Sequence, residues 1–264
     1  MDQGGIKETV SLFCHMLMRL AFFLWIMDCG FVMYFGDRPN IPIYEIRHTV
    51  QCHEDIWWAK TDAEWAELRQ KMGVNDAEFP VLMSMLISPD ISIPPTNLSV
   101  LGGFDLLHGL HIHIWIQQQY EASIGENATI RQVVFRKRSE EVQTALRKWR
   151  EGWESTLTTF PSLRQPLYQR AALAFWFLAK YFNEVKDSRH QPGFCGAIRQ
   201  ILPVGRLLRA IFMMIDNGKL SDNSPASAIH PSEEEDSNLR GNASLDTMNI
   251  NFIMYEKRDE KIPG

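Results

Sequence analysis

The sequence predicts an all-α fold, an irregular multi-helix bundle followed by a disordered polar C-terminal segment. Apolar residues recur at helical spacing from residue 8 to about 215, with no sustained apolar/polar alternation of the strand kind. Prolines and turn residues cut this region into pieces of helical length. From about Asn217 the chain is rich in Ser, Asn and acid, too polar to bury the area that ordering requires. The 264 residues, 45% apolar and 22% charged, are enough for one sizeable core and exclude wholesale disorder.

A first helix is expected from about Glu8 to Tyr34, apolar on nearly all sides and therefore surrounded by other helices. The turn GDRPNIP, with Pro39 and Pro42 behind Gly36 and Asp37, stops it. Thr61 and Glu64 form a capping box ahead of a short helix over 61–72. Prolines 80, 89, 94 and 95 make 80–97 a connection with one helical piece at 82–87. Phe104, Leu107, Leu110, Ile114 and Trp115 mark a mostly buried helix to Tyr120.

Residues 139–158 are amphipathic, with Val142, Leu146, Trp149, Trp153 and Leu157 on one stripe and Arg147, Lys148, Arg150, Glu151 and Glu154 off it. After breaks at Pro161 and Pro166, RAALAFWFLAKYF is too apolar for a surface and too short for a bilayer, hence a central core helix. Pro203 is expected to split a last helical region, 196–215.

Charge and composition exclude several classes of function. Thirty-two acidic against 27 basic side chains give a net charge of −5, which offers no strong positive field for nucleic acid. The most apolar stretch, residues 20–36, holds Asp28 in its middle and Arg19 at its edge, so no membrane span is expected. The four cysteines, Cys14, Cys29, Cys52 and Cys195, lack the spacings of a disulfide framework or a zinc finger.

Candidate chemistry is sparse. His108 and His111 lie three apart on one helix and could share a metal, but His113 turns roughly 200° away and no carboxylate or cysteine completes the set. No nucleophile elbow, phosphate loop, H-E-x-x-H helix or dinucleotide turn occurs, so no enzyme is expected. The basic run from Arg131 to Arg150, centred on Arg136-Lys137-Arg138, reads as an acidic-partner contact, an import signal or a solvated face.

Five stretches in order resemble the fungal-specific transcription factor domain, the middle homology region of fungal zinc-finger and zinc-cluster regulators. In RLAFFLWIMDCGFVMYFGDRPNIPIYEI the matching residues are Arg19, Trp25, Asp28, Cys29, Arg38, Pro39, Ile41 and Pro42. CHEDIWWAKTDAEWAEL contributes Cys52 and Trp57 ahead of Glu64-Trp65, a form associated with members whose fingers use two Cys and two His. FDLLHGLHIHIWIQQQ with His108, ALRKWREGWE with Trp149, and PLYQRAALAFWFLA with Pro166 and Tyr168 complete the series, Gln169 replacing an expected histidine. Together they cover residues 15–180.

The resemblance implies the later part of a non-catalytic regulatory domain over residues 1–216, with a disordered acidic linker and tail over 217–264. Zinc and DNA contact are implied only through a module not represented in these residues or supplied by a partner. No cofactor is expected in the chain itself. Implied partners are the transcription machinery or co-regulators and a second copy of the chain, and the implied location is the nucleus. The rival reading is a helical small-molecule-binding or metal-using protein centred on His108 and His111. Arg19 and Asp28 inside an apolar helix need partners, and an ion pair of Asp28 with Arg19 or Arg38 is expected to satisfy them.

Overall fold

The computed structural model describes residues 3–47, 50, 56, 59–72, 77–91, 98–124, 128–159, 166–184, 197–221 and 224. Among them the secondary structure is helical, as expected. The helices are α1 (Gln3–Phe35), α2 (Asp62–Met72), α3 (Phe79–Ile87), α4 (Val100–Ser123), α5 (Ala128–Thr159), α6 (Pro166–Glu184) and α7 (Ala197–Asp216), with one 3-10 turn at Ile43–Glu45.

Helix α4 is the hub. It packs against α1, α3, α5 and α6, while α7 lies on α1 and α6. Every residue from Leu98 to Ile112 is buried. Such a helix needs apolar or small residues all round, which VLGGFDLLHGLHI supplies. Ser99 caps its start, its hydroxyl accepting from the Gly102 amide at 2.8 Å.

Local signals account for most boundaries. Thr61 and Glu64 act as the predicted cap of α2, the Glu64 amide donating to Thr61 Oγ1 at 3.2 Å. The Glu64 carboxylate reaches back one residue further than expected, to the amide of Lys60 at 2.8 Å. Pro80 falls in the first turn of α3 and Pro166 opens α6, positions where a missing N–H costs nothing. Gly36, at φ 69°, ends α1 in the left-handed conformation that a side chain disfavours.

Three expectations fail. Helix α1 is not enclosed: α4 and α7 cover one flank, while Leu17, Leu20, Leu24, Met27 and Phe31 are exposed on the other. Helix α7 runs through Pro203 unsplit, because Val204, Leu207, Leu208 and Ile211 are buried beyond it and their packing offsets one lost backbone bond. Helix α5 starts at Ala128, so the basic run shares a helix with the tryptophan stripe. Two contacts lie at the start of the tail. The Gly218 amide donates to Ile215 O at 3.0 Å and Lys180 Nζ to Ser224 O at 2.7 Å. The remainder of the predicted disordered segment lies outside the described residues, as does all of the second unit, residues 230–264.

Candidate functional site

Three residues of the pattern, Trp25, His108 and Trp149, meet at α4. Trp25 of α1 donates its indole N–H to Asp105 Oδ1 at 3.0 Å, and both are buried. Trp149 of α5 donates to Gly103 O at 2.7 Å and stacks on Trp153, ring centres 5.1 Å apart. Gly103 must lack a side chain, since a Cβ there would stand 2.6 Å from the Trp153 ring. Gly109 meets Phe79 and Met83 of α3 in the same way, at 2.7 and 2.8 Å. Gly103 and Gly109 with Trp25, Trp149 and Trp153 are thus packing requirements of the contacts of α4 with α3, α1 and α5.

The turn after α1 is fixed from two sides. The Asp28 carboxylate accepts from the Asn40 amide at 3.2 Å, from Asn40 Nδ2 at 2.7 Å and from the Ile41 amide at 2.8 Å. Trp115 of α4 donates to Gly36 O at 3.2 Å. The expected ion pair of Asp28 with Arg19 or Arg38 is therefore replaced. Backbone amides of the proline turn and one asparagine satisfy the carboxylate, and Arg38 is exposed while Pro39 is half-buried. Amide donors can supply what a buried carboxylate requires without burying a second charge.

His108 and His111 are both buried, their rings 6.4 Å apart. His108 Nδ1 faces Phe104 O at 2.8 Å and His111 Nε2 faces Phe175 O at 3.0 Å. A carbonyl only accepts, so those two nitrogens carry the protons. Burial pushes His108 down to about 4. It pushes His111 down to about 3, with the neighbouring His108 charge adding to the effect. Burial lowers His113 as well. The first two are neutral and anchored to helix carbonyls, and no group of three His, Cys, Asp or Glu converges as a metal set among the described residues. Cys29 is a buried free thiol, pushed up by burial and by the nearby Asp105 and Asp28 charges.

The basic run is only partly a surface. Arg136 and Lys137 are exposed, but Arg138 is buried, 3.4 Å from Glu121 and 3.3 Å from Asn183 O. Lys148, expected to face water, is buried and caps the end of α3, donating to Met85 O at 3.1 Å and Ser88 O at 2.5 Å. Helical periodicity alone could not find either, because their partners come from other elements. Trp57 lies outside the described residues, as do the side chains of Pro166 and Tyr168 within α6.

No helix among the described residues is long and apolar enough to cross a membrane. In sequence the chain is similar to zinc finger protein klf1 of Schizosaccharomyces pombe, 33% identical over 111 residues. That match covers 41% of this chain and 13% of the length of the relative. No family model and no solved structure matches the chain.

Proposed function

We propose that this chain is the later part of a regulatory domain of a fungal zinc-finger transcription factor, acting by contact and not by catalysis. The observation that carries the reading is the 33% identity to a fungal zinc finger protein. The core is consistent with it. The buried polar groups Asp28, Asp105, His111, Arg138 and Lys148 are engaged in holding helices and turns together.

In this reading DNA is reached through a zinc module in another segment or another chain, co-regulators are the direct partners, and the protein works in the nucleus. The test fuses residues 1–264 to a heterologous DNA-binding module and measures a reporter in fungal cells. A several-fold change relative to the module alone, in either direction, is expected. A reporter indistinguishable from the module alone would overturn the reading.

A further inference from the structure

Helix α1 has two apolar faces, and only one is used. Phe22, Trp25, Cys29 and Val32 are buried against the rest of the core. On the opposite flank Leu17, Leu20, Leu24, Met27 and Phe31 are between 46% and 57% exposed. Their intervals are three, four, three and four, the a/d spacing of a heptad, and the sequence continues the same spacing back through Phe13, Val10 and Ile6. A stripe of this period drifts about 20° per heptad on a straight helix, so it suits a partner helix crossing with a left-handed supercoil.

We propose that this face of α1 pairs with the same face of a second copy of the chain. The partner helix must itself carry a 3-4 apolar repeat of about this length, and α1 is such a helix. The seam is also free of charge. Of the flanking positions from 9 to 30, Thr9, Cys14, Met16, Ala21, Phe23 and Gly30 are uncharged, and the one charged residue, Asp28, is buried with its carboxylate bonded to the proline turn. Coiled coils select unlike partners mainly through charges at flanking positions, and with Asp28 engaged by its own chain no flanking charge in this stretch sets like against like.

The area is sufficient. Taking a fully exposed large apolar residue as roughly 200 Å², the five fractions leave about 500 Å² open per copy. That lies in the upper range for the largest patch on a monomer, and a pair would cover about 1,000 Å², the size at which specific interfaces begin. The position is equally suitable. Asp28 and Trp115 fix the end of α1 against the turn and α4, so its outer face is presented by an anchored helix rather than a frayed one.

Sedimentation of the full chain at micromolar concentrations is the test. Twice the chain mass is expected for the parent. Two double variants, Leu17→Glu with Leu20→Glu and Leu17→Lys with Leu20→Lys, should each dimerise about 100-fold more weakly, since each buries unpaired charge in the seam. Mixed together they should recover the dimer, because residues 17 and 20 meet oppositely charged residues whether the two helices run parallel or antiparallel. Unchanged far-UV circular dichroism and melting of each variant separates association from folding. A monomeric parent overturns the proposal, as does a dimer that both variants retain. So does a monomer that floats with phosphatidylcholine vesicles and loses this in the glutamate variant, which would make the face a lipid contact.

Discussion

Lowering the pH should unfold this protein through its two central histidines. His108 and His111 ordinarily titrate near 6.5, and in the core they are held down to about 4 and about 3. The folded state therefore binds protons less readily than the unfolded chain. Stability from this source is complete above about 6.5 and declines as pH falls below it, at about 1.4 kcal/mol per pH unit for each histidine, until the folded values are reached. By pH 5 the pair together removes about 4 kcal/mol relative to pH 8, a large share of the roughly 5–15 kcal/mol that holds a domain folded.

The assay is urea unfolding followed by far-UV circular dichroism from pH 8 to pH 5, on the parent and on a His108→Leu, His111→Leu variant. Leucine nearly fills the space, and the carbonyls of Phe104 and Phe175 lie inside α4 and α6, where helix amides serve them. The parent should lose about 4 kcal/mol more than the variant across that interval. Equal pH slopes would refute the burial and neutrality of this pair.

Two further substitutions probe groups whose roles differ from their surface appearance in the sequence. Asp28→Ala removes the acceptor of three N–H groups and should cost about 2–4 kcal/mol in denaturant unfolding, with Asp28→Asn recovering part; a protein as stable as the parent would contradict the turn anchoring. Arg138→Ala leaves Glu121 buried without its cation and should cost about 3–5 kcal/mol, while Arg138→Met combined with Glu121→Leu should recover most of it. A double variant as unstable as the single one would place the cost elsewhere.

The helical class and most helix positions were legible because they rest on local chemistry. Thr61 with Glu64, and Gly36, act within a turn of their own position, and the apolar stripe of α5 is a property of one helix. What failed depended on residues distant in sequence. Arg138 and Lys148 read as solvated charges until Glu121 and the end of α3 arrive beside them. Pro203 reads as a break until the burial of Leu207 and Ile211 outweighs it. Asp28 was recognised as needing a partner, but charge complementarity suggested arginine where the fold provides amides. Helix α1 exposes the same difficulty in reverse. A helix apolar on all sides announces that every face has a contact, yet not whether the contact comes from its own chain.

The enclosure of α4 sets the order in which the molecule can open. A helix with a wet face exchanges its amide hydrogens by fraying from that side, whereas every residue from Leu98 to Ile112 is covered by neighbours. Its inner amides reach water only when α1, α3, α5 and α6 separate from it, which is global unfolding. Helix α2, exposed along most of its length, can exchange without disturbing any of this. Slow exchange should therefore mark residues near the middle of the chain, with the faster-opening segments arranged around them. A partner could engage those outer segments while the centre stays closed.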